Sequence, residues 1–316
     1  MDDIVSLREE SKTKMNVLAG AMAAVVAPRR ETGHTIDIGL ALDILDFVNE
    51  RGVKGVAALG ATGEFVHYDV EERMRLVQMA VRRSRTPVIV NVSHSTLEAA
   101  VVLARAATES GARALLLMPP HFFRHSQEAI AACYSEFAKQ TAGMAPTLLY
   151  NLPFFTNPFE PATACAILET GKFLGIKDSS GDTTMFAALR ELRDRQDFRL
   201  FIGNDNLLQS HLAQADGVIS GCACAVPELI TAIDRAVASN DAAALGRRGA
   251  MLRSYIDHID CFPTPFGIQL TLLCRGFKKA APALPLGDTL LAKAKEFEEW
   301  FPAFLTSMLD ECRSDN

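Results

Sequence analysis

Eight short apolar runs recur along the chain at regular spacing, each followed by a longer amphipathic stretch, and this alternation restricts the fold more than any other feature. Such alternation is the mark of βαβ units built around a parallel sheet. The runs are Leu18 to Ala27, Gly55 to Gly60, Pro87 to Val92, Ala114 to Met118, Thr147 to Asn151, Leu174 to Lys177, Arg199 to Gly203 and Gly217 to Gly221. The periods between them predict helices over 37–51, 69–85, 96–110, 126–142, 161–171, 182–196, 205–215 and 227–240. Capping residues such as Asp69, Ser95 or Thr96, and Asp182 open several of them.

Strands as uniformly apolar as VIVNV, ALLLM and TLLYN are buried on both faces, and eight of them with eight crossovers fit a closed (β/α)8 TIM barrel better than an open sheet. The open, doubly wound alternative lacks a G-x-G-x-x-G after the first strand. The α/β reading therefore places the barrel over 15–240, after a polar N-terminal extension over 1–14. A C-terminal helical region follows over 241–316, punctuated by Pro263, Pro265, Pro282 and Pro285.

Composition narrows the function. With 49% hydrophobic residues and mean hydropathy +0.11, the 316-residue chain can bury a large core. Its 38 acidic residues outnumber 32 basic ones without a block of like charge, so nucleic acid is not an expected partner. Apolar runs fall short of the roughly twenty residues a membrane helix needs, and the first residues are acidic rather than signal-like, so no membrane partner and a cytoplasmic location are expected. The seven cysteines form no CxxC pair, and Cys222 and Cys224 stand too close for the usual zinc knuckle, so free thiols and no metal are expected.

In a (β/α)8 barrel the chemistry sits where strands end. Lys177 ends a strand directly after Leu174-Gly175-Ile176, where desolvation favours the uncharged, nucleophilic amine that attacks a carbonyl. The same position equally suits a lysine snorkelling to the mouth or pairing with Asp178. Tyr150 offers a phenol for proton transfer, or is an ordinary strand tyrosine. The Gly60-Ala61-Thr62-Gly63 turn offers amides and a hydroxyl for a carboxylate or phosphate, or is a tight turn needing glycine at positive φ. No Lys or Arg adjoins Gly203 or Gly221, which disfavours phosphorylated substrates.

Taken together, Gly60-Ala61-Thr62-Gly63-Glu64 with Glu72-Arg73, Tyr150-Asn151-Leu152-Pro153, and Gly175-Ile176-Lys177-Asp178-Ser179-Ser180-Gly181-Asp182 resemble the dihydrodipicolinate synthase and N-acetylneuraminate lyase family. Gly203 with Asp205, and Gly217-Val218-Ile219-Ser220, are weaker echoes, and the likeness extends over about 15 to 295. The resemblance implies a class I lyase or aldolase needing no metal or other cofactor, with Lys177 forming a Schiff base with pyruvate or another 2-oxo acid. It implies that Thr62 and the Gly63 backbone hold the carboxylate, that Tyr150 shuttles protons, and that Gly203, Ile219 and the Phe155 position line the substrate site. It further implies a homotetramer, a dimer of dimers.

The chain departs from the family pattern where a second substrate would bind. Ala61 replaces the first of two hydroxyl residues, His121 and Phe122 replace a Tyr-Tyr pair, and Phe155 replaces the arginine of synthases acting on aspartate semialdehyde. These departures predict a second substrate other than aspartate semialdehyde. Sugar-acid aldolase or dehydratase and hydratase-aldolase chemistries share the imine and stay open. So does a non-catalytic barrel that binds a keto acid, given the hydroxyls lost at Ala61 and Phe122.

Overall fold

The computed structural model describes residues 18–32 and 35–313; the extension expected over 1–14 lies outside them. Eight strands, β1 (Gly20–Ala24), β2 (Gly55–Ala58), β3 (Val88–Asn91), β4 (Ala114–Leu117), β5 (Thr147–Asn151), β6 (Gly175–Asp178), β7 (Arg199–Ile202) and β8 (Gly217–Ser220), pair in chain order into a closed barrel. All ladders are parallel, and β1 pairs with β8 to close the ring. Every residue of β2, β3, β4, β5, β6 and β8 is buried, which explains why apolar residues run consecutively in them rather than alternating, with polar residues confined to the strand ends.

Helices α1 (Ile38–Glu50), α2 (Val70–Arg83), α3 (Leu97–Ser110), α4 (Gln127–Gln140), α5 (Pro161–Glu169) and α6 (Thr183–Arg193) follow the first six strands. Their starts are set by side chains that accept an otherwise orphaned amide: Asp37, Asp69, Thr96, Ser126 and Asp182 each cap the helix that follows. Such a cap contributes typically ~1 kcal/mol.

Two segments differ from the sequence expectation. The helix predicted over 205–215 is a short α7 (Leu208–His211) between two 3-10 turns, Asp205–Leu207 and Leu212–Gln214. Asp205 there turns its carboxyl inward to accept the Cys222 N–H at 3.3 Å, and Asn204 caps the first 3-10 turn. The second difference is an unanticipated helix α8 (Cys222–Ala225), wholly buried, ahead of α9 (Pro227–Ala238).

The C-terminal region folds as α10 (Ala242–Ile259), α11 (Phe266–Cys274) and α12 (Asp288–Arg313). Trp300 of α12 stacks on His258 of α10 with centroids 3.7 Å apart, and Phe304 stacks on Tyr255 at 5.8 Å, so aromatic faces join the last helix to α10. All seven cysteines are free. Among the described residues, no helix is long and apolar enough to cross a membrane, and no group of three or more His, Cys, Asp or Glu side chains could hold a metal ion.

Candidate active site

Tyr150 of β5 and Lys177 of β6 are direct partners across the parallel ladder, so both side chains emerge at one level of the barrel. They meet there: the Lys177 ammonium donates to Tyr150 Oη at 3.1 Å and lies 4.2 Å from the centroid of its ring. Lys177 is 4% exposed and Tyr150 2%. Of the two bland roles open to Lys177, neither is realised: the side chain is buried, and it forms no ion pair with Asp178. That carboxylate, one residue further and on the opposite face of the strand, instead accepts from Asn151 Nδ2 at 2.8 Å and Ser180 Oγ at 3.0 Å. Burial raises the Asp178 pKa, and these hydrogen bonds work against that rise.

Gly203, at the end of β7, makes room for the lysine. A Cβ at this position would lie 2.7 Å from Lys177 Cε and would collide with Ser179 Oγ. Behind it the Asp205 carboxyl, which accepts the Cys222 N–H, is raised in pKa by desolvation, with the Lys177 charge acting to lower it. Ile219 is fully buried within β8.

The Gly60–Gly63 turn faces this pair. Tyr150 Cε1 is 4.0 Å from where a Gly60 Cβ would be, and Thr62 Oγ1 is 3.2 Å from that of Gly221 at the end of β8. Thr62 thus points its hydroxyl across the mouth. The Gly63 N–H donates to Gly60 O at 3.0 Å and closes the turn. The amide and hydroxyl of Thr62 itself form no hydrogen bond with other described residues. Gly63 is needed sterically, since a Cβ would sit 2.8 Å from Leu59 Cα. Positive φ falls instead on Leu59 (60°) and Glu64 (47°), flanking the turn.

Beside the turn opens a cavity of about 350 Å³. Its wall starts at Ala61, the neighbour of Thr62, and at Leu152, two residues after Tyr150. Phe65, Met118 and Phe155 add apolar surface, and Glu64, His67, His121, Thr156 and Thr264 add polar groups; among the described residues no Lys or Arg lines it. Phe155, expected near the substrate, is on this wall and 59% exposed. Phe122 is not: it is 90% exposed and held at φ 75°.

Residues that the sequence analysis did not single out hold these loops together. Asn91 Nδ2 donates to Leu59 O at 2.8 Å, Ser93 Oγ to Asn91 Oδ1 at 2.7 Å, and the Met118 N–H to Ser93 Oγ at 2.8 Å, linking the ends of β2, β3 and β4. The polar interruptions in VIVNVS are the available sign of them. Arg73, 1% exposed, donates to Asn91 O and Ser93 O at 3.1 and 3.0 Å and lies 5.0 Å over the Phe65 ring. Burial pulls its pKa down to about 10.

A (β/α)8 barrel with a buried amine against a phenol at the carboxyl ends of its strands is an enzyme scaffold of the lyase class. The chain belongs to the dihydrodipicolinate synthetase family, whose model matches residues 17–301. It is 30% identical over 292 residues to a 4-hydroxy-tetrahydrodipicolinate synthase of Macrococcus caseolyticus, covering 91% of this chain and 97% of the relative. It is 27% identical over 271 residues to one of Alkaliphilus oremlandii, covering 84% and 92%. The fold is that of an E. coli prophage protein of the dihydrodipicolinic acid synthase family in complex with pyruvate (TM-score 0.81, 21% identity, 91% of this chain and 99% of that one). It is shared with the pyruvate-complexed dihydrodipicolinate synthase of Acinetobacter baumannii (TM-score 0.81, 22% identity, 93% and 98%).

Proposed function

We propose that the protein is a class I lyase or aldolase that forms an imine between Lys177 and pyruvate or another 2-oxo acid. The observation that carries this reading is the buried Lys177 amine 3.1 Å from Tyr150 Oη, facing a turn whose Thr62 hydroxyl and amide are free to bind a carboxylate. The amine adds to the keto carbon. Tyr150 passes a proton to the departing hydroxyl as the carbinolamine loses water, and the resulting iminium draws off the electrons of a C–H or C–C bond on the adjacent carbon. The relatives' name and the pyruvate complexes of similar barrels support the choice of 2-oxo acid.

The second substrate in this reading is not aspartate semialdehyde. A buried carboxylate needs a cationic or multi-donor partner, and the cavity beside the turn offers Phe155 and, among the described residues, no Lys or Arg. Losing such a charge-assisted contact costs about 2 to 5 kcal/mol. The exposed Phe122, Phe123 and Phe154 fit a surface covered by further copies of the chain, in keeping with a homotetramer.

The test is incubation with pyruvate and borohydride followed by peptide mass analysis. The expected result is one reduced adduct on the Lys177 peptide, absent from Lys177→Ala. A folded Lys177→Ala that still traps pyruvate stoichiometrically refutes the assignment. A second reading, a barrel that binds a keto acid without turnover, is favoured by the missing hydroxyl at Ala61 and the outward Phe122. It predicts trapping without consumption of any aldehyde. Turnover of aspartate semialdehyde at or above ~10⁴ M⁻¹s⁻¹, where ordinary enzymes begin, would contradict the acceptor argument.

A further inference from the structure

We infer that His121 is the group that engages the second substrate: the cavity beside Ala61 takes an uncharged aldehyde with a ring-sized apolar body, and the imidazole holds its oxygen and exchanges its proton. The inference rests on the Lys177 imine proposed above and names what reacts with it.

His121 follows Pro119 and Pro120 beyond β4 and lies on the cavity wall, its ring set edge-on to Phe65 with centroids 6.1 Å apart. Its Nδ1 is buried without a hydrogen-bond partner, a condition rare for buried polar atoms, which leaves Nε2 as the ring nitrogen open to a ligand in the cavity. Two other polar groups of the wall are already engaged: Glu64 accepts from Gln269 Nε2 at 2.8 Å, and Thr156 Oγ1 donates to Leu152 O at 3.0 Å. The remaining wall is largely apolar, and about 350 Å³ exceeds the ~150 Å³ in which an apolar cavity binds benzene.

The imidazole is in the right state for this work. The charged and titratable groups around it are Arg73 from α2, His94 from the loop after β3, and Glu64 and His67 on the same cavity wall. Desolvation and then the Arg73 charge lower its pKa below 6.5, so at neutral pH it is uncharged and basic. In the cleavage direction, with the Nδ1–H tautomer, Nε2 accepts the proton of the substrate hydroxyl. The O–H pair becomes the second bond of the aldehyde C=O, the adjacent C–C bond breaks, and its pair enters the iminium on Lys177 to give the enamine. The positive charge passes from iminium to imidazolium.

The probe is 4-hydroxy-2-oxo-4-phenylbutanoate, which cleaves to pyruvate and benzaldehyde and is followed by benzaldehyde absorbance, with borohydride trapping of pyruvate alongside. The wild type should release benzaldehyde. His121→Phe should slow release about a hundred- to ten-thousandfold, the usual contribution of a proton-transfer group, with trapping unchanged. His121→Gln, which keeps a polar contact but no base, should restore KM and not kcat. Wild-type kcat/KM should fall with pH as the imidazole protonates, and this limb should vanish in both variants. A wild type that traps pyruvate yet leaves the probe intact overturns the inference. So does a His121→Phe variant with the wild-type rate and pH profile. Failure of the wild type to trap pyruvate refutes the Lys177 imine, and the inference falls with it.

Discussion

Gly203→Ala tests whether the packing around Lys177 is what makes it reactive. The added Cβ would stand 2.7 Å from Lys177 Cε and collide with Ser179 Oγ, whereas carbon atoms in contact settle at about 3.5–4.0 Å. The lysine must therefore withdraw by about 1 Å, with Ser179 giving way beside it. Overpacking of this kind costs about 1–3 kcal/mol in stability. The larger effect is on reaction, because a displacement of ~1 Å at a reacting group can cost about a hundredfold. The rate of borohydride-trapped adduct formation with pyruvate should fall on that scale, while thermal unfolding shows a protein that is weakened but still cooperative. A variant that traps pyruvate at the wild-type rate would show that the amine does not depend on this contact, and the close packing drawn around Lys177 would be wrong.

Tyr150→Phe removes the phenol bonded to Lys177 and should lower turnover by about a hundred- to ten-thousandfold while affecting pyruvate affinity less; an unchanged rate removes Tyr150 from the mechanism. Thr62→Val should weaken pyruvate binding by about 1.5–3 kcal/mol, the worth of a hydrogen bond to a charged group, and an affinity within about twofold of wild type counts against the carboxylate contact. Asp205→Asn should raise stability at pH 7. Burial lifts the folded-state pKa of this carboxyl above 3.8, so the stability it contributes is present below that pH and is lost as pH rises through the folded value. Melting curves should show the variant ahead at pH 7 and the gap closing towards pH 4; a wild type that is the more stable at pH 7 refutes the sign.

The barrel was legible because strands buried on both faces must be apolar throughout, and Leu148, Leu149 and Ile176 could hardly sit elsewhere. Lys177 stands out in the sequence for the converse reason: a lone cation after such a run needs a partner or a task. The α8 helix was hidden, since Cys-Ala-Cys-Ala is buried on every side and has no polar face to set a period. The broken helix after β7 was misread because its periodic leucines are genuine core residues, as with Leu208 and Leu212, while Asp205 is committed to the interior. The hydrogen bond from the Gly63 N–H to Gly60 O, which closes the turn, has no sign in the sequence pattern.

The strained residues explain why the network beneath the loops exists. Leu59, Glu64 and Phe122 all take positive φ, which costs a residue with a Cβ of order 1–3 kcal/mol and persists only where surrounding structure enforces it. The enforcement on Leu59 comes from outside its loop, through the Asn91 amide on its carbonyl, with Ser93 and the Met118 amide holding Asn91 in turn. Glu64 is held by Gln269, from α11 in the C-terminal region. The turn that presents Thr62 and the β4 loop that presents His121 are thus fixed by one chain of hydrogen bonds, and the C-terminal helices reach the cavity wall through another. Because Asn91 and Ser93 are buried, cutting the chain at either would leave unsatisfied polar atoms as well as a relaxed turn. The network holds the Thr62 turn and the cavity beside it in a fixed relation, which the proposed reaction of two substrates requires.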